Sequence, residues 1–192
     1  MFLGAIKDIP SEMEAKIDLA APELYNLYST TWPYEVFSDA KEFLSKLIPE
    51  RKEGDLKVGI ISNYDKRIVK MVESLELSAY FDFITYSEES KCSKPDKGIF
   101  EDAIRKSGIK DLAKTEVLHI GDDLEKDYFG ARNMGWNAFL IVRDELTRHK
   151  LLSTQNCTSS PSEIKLKDIC DNFGDVEEKL FDNKKLFDKL YD

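Results

Sequence analysis

The sequence predicts an α/β fold built on a doubly wound parallel sheet, and two observations carry that expectation. Short apolar runs at 58–61, 81–85, 117–120 and 138–142 alternate with stretches whose apolar residues recur at helical spacing, the pattern of parallel strands joined by helical crossovers. Polar residues gather just after the first three runs, at Ser62-Asn63, Ser93-Lys94-Pro95-Asp96 and Gly121-Asp122-Asp123. In such sheets ligands bind at the carboxyl ends of the strands.

Each element follows from its own pattern. Ser11 and Glu14 have capping-box spacing, and Met13, Ile17, Ala20, Ala21, Leu24 and Tyr28 follow at helical intervals, with Pro22 expected to kink or restart the helix. After Trp32-Pro33, Asp39 is placed to cap a second helix bearing Phe43, Leu44, Leu47 and Ile48, which the polar stretch 49–55 should end. Between the four strands lie helices marked by Ile68, Met71, Val72 and Leu75, by Ile99, Phe100, Ala103 and Ile104, and by residues 128–134. Residues 143–162 are polar and rich in Ser and Thr, which predicts a surface loop. Val176, Leu180, Phe187, Leu190 and Tyr191 share one face of a last helix, expected to dock on the body. Three segments result: helices at 1–37, an α/β core at 38–150, and a loop with the C-terminal helix at 151–192.

Composition narrows the function. The 192 residues are 42% hydrophobic, enough for one globular core. A net charge of −9 repels a phosphate backbone, so nucleic acid is not an expected partner. No apolar run reaches the roughly 18 residues of a membrane span, and Lys7 and Asp8 interrupt the start too early for a secretory leader, so the cytoplasm is the expected compartment. Cys92, Cys157 and Cys170 are odd in number and scattered, which fits reduced thiols rather than a disulfide or zinc framework. The sequon at Asn156 is read as coincidence on the same ground. Neither GxGxxG nor GxxxxGK[ST] occurs, so the glycine-rich nucleotide loops are absent.

The strand-end residues point to phosphate chemistry. A small hydroxyl such as Ser62, surrounded by free backbone N–H groups, can hold a phosphate oxygen, although Ser-Asn with Asp65 as a cap is also ordinary strand-to-helix punctuation. Lys94 precedes a proline, which favours an extended backbone beside the crevice, and Asp96 is placed to cap the next helix. An ammonium there would offset charge on a phosphoryl group, while the bland reading is a surface lysine in a turn. Asp122, Asp123 and Asp127 put three carboxylates within six residues, which repel one another unless a cation neutralises them. Magnesium, bound by one or two carboxylates with waters and a phosphate, suits them; helix capping by Asp123 with a solvated Asp127 is the alternative.

Taken in order, Ser62-Asn63, Lys94-Pro95 and Gly121-Asp122 with Asp127 resemble the second, third and fourth motifs of the haloacid dehalogenase-like hydrolase superfamily. The likeness extends from about Trp32 to Val142, through Phe81-Asp82, Ile99-Phe100, Gly130-Ala131-Arg132 and Gly135, and is nearest in pattern to the group called haloacid dehalogenase-like hydrolase domain-containing protein 3. The resemblance implies a Rossmann-like core with a partial helical cap before residue 38. It also implies that Ser62 binds the transferring phosphoryl group, Asn63 supports that loop, and Lys94 stabilises the phosphoryl charge as the catalytic lysine. Asp122 would bind Mg2+, Asp127 would assist through water or through Lys94, and Asp123 would stand at a position that varies. The implied activity is a Mg-dependent phosphatase of small phosphorylated metabolites. The alternative is a non-catalytic phosphate- and Mg-binding protein or scaffold.

One part of the pattern is missing. The family's first motif is an apolar strand ending in Asp-x-Asp, whose first aspartate is the nucleophile, and no Asp-x-Asp occurs in this sequence. Asp8 follows an apolar run but has Pro10 two residues on, Asp18 and Asp39 lie on helical patterns, and Asp55 lies in a turn. Without a nucleophile there is no covalent intermediate to divide the reaction, so the chain is expected to be inactive and an N-terminally truncated form of an active enzyme. The resemblance also puts that strand centrally, between 58–61 and 117–120. Two strands facing a gap would carry unpaired backbone groups at about 1–3 kcal/mol each when buried, against a net stability of about 5–15 kcal/mol. The strands must close up, another segment must substitute, or folding suffers.

Overall fold

Strand and helix alternate as the periodicity requires. The computed structural model describes residues 11–27, 34–52, 56–154 and 164–181. In order these form α1 (Ser11–Leu27), α2 (Ser38–Lys52), β1 (Gly59–Ser62), α3 (Arg67–Ser74), β2 (Phe83–Tyr86), α4 (Ser87–Ser90), α5 (Lys97–Ser107) and β3 (Leu118–Gly121). A π-helix (Leu124–Phe129), α6 (Gly130–Asn133), β4 (Asn137–Ile141), α7 (Glu145–Thr154), β5 (Ile169–Cys170) and α8 (Phe173–Phe181) follow, with short 3-10 turns at Ser78–Tyr80, Lys114–Glu116 and Leu166–Asp168. No described helix is long and apolar enough to cross a membrane.

All pairing is parallel, as expected, but the sheet is in two pieces. β1 pairs with β2, β3 with β4 and β4 with β5, while among the described residues no ladder joins β1 to β3. The break falls where the resemblance places the family's first strand. Helices on both faces hold the pieces together. Side chains alternate along β4, so Phe139 and Ile141 meet Phe43 and Leu47 of α2 and Val176 and Leu180 of α8, with Val58, Leu118 and Ile120 packed against them. Ala138 and Leu140 point the other way, into a cluster with Ile99 and Phe100 of α5, against which Ile61 packs. Helices α2 and α5 therefore each touch both pieces.

Local signals explain the element limits. Asp96 caps α5 by accepting from the Gly98 N–H at 2.7 Å, as expected. Two expectations need correction. Helix α2 ends at Lys52, inside the polar stretch 49–55, but Asp39 does not cap it: its carboxylate accepts from Arg143 and from the Phe173 N–H, each at 2.8 Å, and so ties α2 to the start of α8. Pro22 lies inside α1, which runs on from Ser11 to Leu27 without a restart. Within the expected loop at 143–162 lies α7, opened by Asp144, whose carboxylate accepts from the Thr147 N–H at 2.7 Å. The strand after it, β5, is two residues long and gave no periodic signal. Tyr28, Trp32, Phe187, Leu190 and Tyr191, with Asp8 and Asp55, lie outside the described residues.

Candidate functional site

Lys94 sits between the carboxyl ends of β1 and β3. Its Nζ donates to the Ile61 carbonyl at 2.7 Å and to Asp127 Oδ1 at 2.5 Å. Asn63 fixes the backbone beneath it from both sides: Asn63 Nδ2 donates to the Lys94 carbonyl at 2.9 Å, and Asn63 Oδ1 accepts from the Lys94 N–H at 2.6 Å. A side-chain amide carries a donor and an acceptor on two neighbouring atoms, which lets one Asn bond both the N–H and the carbonyl of Lys94. Ser62 closes β1 beside this staple, partly buried.

Asp127 is the anionic counterpart. It stands on the π-helix, where the Asp127 and Tyr128 N–H groups both donate to the Asp123 carbonyl, at 2.9 and 3.2 Å; such π-turns recur at functional sites. Its Oδ1 lies 3.0 Å from His119 Nε2 as well as against Lys94, and its Oδ2 accepts from the Asp123 N–H at 3.0 Å. The residue is 4% exposed. Burial by itself would raise its pKa, but the His119 hydrogen bond and the Lys94 charge outweigh that and hold the carboxyl well below the usual carboxylate range. Gly121 belongs to the same arrangement, since a Cβ there would overlap the Asp127 carboxylate.

Two of the three acids thus have protein partners, which corrects the argument that only a cation could neutralise them. Asp123 is an N-cap: Oδ1 accepts from the Glu125 and Lys126 N–H groups at 3.1 and 2.8 Å, and Oδ2 pairs with Lys126 at 2.6 Å. Among the described residues no three His, Cys, Asp or Glu side chains converge on one point. Asp122 is exposed at the end of β3. As a donor set this fits magnesium bound through one carboxylate, the remaining positions going to water and phosphate oxygens. A cleft of about 790 Å³ opens at the same strand ends, lined by Gly121, Asp122, Asp123, Leu140, Val142 and Arg143 among others, but not by Ser62, Asn63 or Lys94.

The sequence reading missed His119. Its signal was one ring nitrogen inside an otherwise apolar strand, two residues before Gly121. Its ring also meets Phe100 edge-on at 5.6 Å.

A family model described as haloacid dehalogenase-like hydrolase matches residues 4–135, more than half of the chain. The chain belongs to the haloacid dehalogenase-like hydrolase family. It is 36% identical over 133 residues to the rhythmically expressed gene 2 protein of Drosophila melanogaster, covering 69% of this chain and 50% of that protein. With haloacid dehalogenase-like hydrolase domain-containing protein 3 of Danio rerio it shares 32% over 131 residues, covering 68% and 51%. The chain spans about half the length of these curated relatives. Among solved structures, a haloacid dehalogenase phosphatase from Thermococcus onnurineus matches with TM-score 0.58 at 23% identity, covering 76% of this chain and 58% of that one. The hydrolase YfnB from Bacillus subtilis, solved bound to magnesium, matches with TM-score 0.58 at 16% identity, covering 91% and 85%. At those identities the structures establish the haloacid dehalogenase fold and nothing finer.

Proposed function

We propose that this chain is the phosphate- and cation-binding part of a Mg-dependent phosphatase of small phosphorylated metabolites, and that by itself it binds without turnover. The observation that carries this reading is the placement of Lys94. Of its three N–H donors, Asp127 and the Ile61 carbonyl take two, which leaves one for a phosphoryl oxygen at the strand ends. Ser62, at the end of β1, would donate its hydroxyl to a second oxygen. Asp127 and His119 act behind the lysine, holding the ammonium in place. Asp122 would hold Mg2+, which when bound supplies further positive charge to offset that of the phosphoryl group. No Asp-x-Asp stands in the sequence to attack phosphorus, so the residues present bind and orient a phosphate with no covalent step available.

Calorimetry with inorganic phosphate and MgCl2, beside a turnover assay on a generic phosphomonoester, tests the reading. Phosphate binding that needs magnesium and is lost in Asp122→Asn, with no turnover, is the expected result. Turnover above the rate without protein would refute the account of the missing nucleophile, and absence of binding would refute the site.

A further inference from the structure

The π-helix that carries Asp127 changes register at the next residue. The Asp127 N–H donates to the Asp123 carbonyl, four residues back, at 2.9 Å, and the Tyr128 N–H donates to the same carbonyl, five residues back, at 3.2 Å. The extra residue of the turn is therefore absorbed at Tyr128. Turns of this kind are rare, so contacts beyond the backbone are needed to hold this one. Relaxing it to the ordinary α register would swing one side of the turn about the helix axis by up to about 100°, and Asp127 would leave Lys94.

The contacts come from the C-terminal part of the chain. The Tyr128 side chain is 1% exposed, in the cluster that takes in Phe100, Leu140 and Ile169. Its hydroxyl donates to Asp168 Oδ2 at 2.8 Å and accepts from the Lys165 N–H at 3.1 Å. Both partners belong to one tight turn, closed by the Asp168 N–H, which donates to the Lys165 carbonyl at 2.8 Å. That turn runs straight into β5, where Ile169 pairs with Leu140 and the Val142 N–H donates to the Cys170 carbonyl at 2.8 Å. The turn is thus anchored to β4, and it grips the hydroxyl at two points. Asp168 is itself 7% exposed, and burying a carboxylate is costly unless it is hydrogen-bonded, so the bond to Tyr128 is a fixed part of the core. Residues 164–170 lie outside the stretch 4–135 that the family model matches.

We propose that Tyr128 and Asp168 are positioning residues for the phosphate site: by pinning the π-turn they aim the Asp127 carboxylate at Lys94. The chain of contacts runs from Asp168 and the Lys165 N–H to the Tyr128 hydroxyl, through the turn to Asp127, and from Asp127 Oδ1 to Lys94 Nζ. Neither Tyr128 nor Asp168 bonds Lys94 directly; each acts through the backbone between Asp123 and Tyr128. The consequence for binding rests on the phosphate reading above, whereas the aim of Lys94 can be read in the unliganded chain. A bond that merely fastens β5 to the core would behave differently, because its loss would lower stability and leave Lys94 where it is.

The test measures hydrogen exchange at Lys94 Nζ by NMR on the full, unliganded chain, then calorimetry with inorganic phosphate and MgCl2. Tyr128→Phe removes only the hydroxyl. It should speed exchange at Lys94 Nζ by at least about tenfold and weaken phosphate binding by about tenfold or more. Asp168→Ala should do the same from the other end of the bond, and decides the matter should Tyr128→Phe not fold. Asp168→Asn keeps an oxygen acceptor for the hydroxyl and should stay within about threefold of wild type in both readouts. Phe43→Leu trims the opposite core cluster and should lower the urea midpoint with neither readout changed. Wild-type exchange at Lys94 Nζ in Tyr128→Phe or Asp168→Ala would overturn the proposal, as would equal acceleration in Phe43→Leu. Accelerated exchange in a chain whose wild type binds no phosphate would uphold the positioning of Lys94 and refute the phosphate reading.

Discussion

Strands β4 and β1 are both short, apolar and parallel-paired, yet every residue from Ala138 to Ile141 is buried and none of Gly59–Ser62 is. The difference lies in their neighbours. Among the described residues β4 has a strand on each side, whereas β1 has β2 alone. Apolar sequence makes a strand fit for burial, but in a parallel sheet the burial itself comes from pairing at both edges and a helix over each face. The β3–β4–β5 piece meets those conditions at β4; the β1–β2 piece meets them nowhere, and a buried ion pair ties its carboxyl end to the rest of the core.

Breaking that tie should have the largest effect. Asp127→Ala strands a lysine whose side chain is 12% exposed, and removing one partner of a buried pair costs about 3–5 kcal/mol, read from urea unfolding. The double variant Lys94→Met/Asp127→Leu should recover much of the loss; if it is no better than Asp127→Ala, the ion pair is not what joins the pieces. Next comes a comparison of the strands themselves. Leu140→Ala in β4, at a site 1% exposed, should cost about 2–5 kcal/mol, and Ile60→Ala in β1 about half as much or less, because its side chain is already partly in solvent. Equal costs would break the comparison.

Smaller effects belong to the two strand glycines. Gly121→Ala drives a methyl into the buried Asp127 carboxylate, and Gly59→Ala drives one into the Phe83 ring. The first should cost about 1–3 kcal/mol, as overpacking does, and the second less, because Phe83 is only partly buried and its ring can swing outward. A further effect is on acid stability. The folded Asp127 carboxyl lies below its ordinary value of 3.8, so the stability it contributes is whole above that value and drains away as pH falls through it toward the folded value. The urea midpoint of the wild-type chain should therefore fall more steeply below pH 3.8 than that of Asp127→Asn.

Much of this architecture was legible in the sequence. The four main strands lie within two residues of their expected limits, because unbroken apolar runs between turn residues have few other uses. The strand-end positions also located Asn63, Lys94 and Asp127, which hydrogen bonds join through Lys94. What escaped was long-range. Nothing local in Asp39 says that it will bond Arg143, 104 residues away, rather than cap its own helix. The neutralisation of Asp127 was attributed to a cation because its partners, His119 and Lys94, come from a strand and a distant loop. Helix α7 mixes polar and apolar residues without a clear stripe, so its period was not visible.

The divided sheet is tested most directly by residue-resolved amide exchange on the unliganded chain. The account predicts alternation, with Ile60 and His119 exchanging slowly through their ladders and Ile61, Leu118 and Ile120 exchanging at least about tenfold faster. Uniformly slow exchange across 59–62 and 118–121 would mean that both outer edges are already paired, and would contradict it.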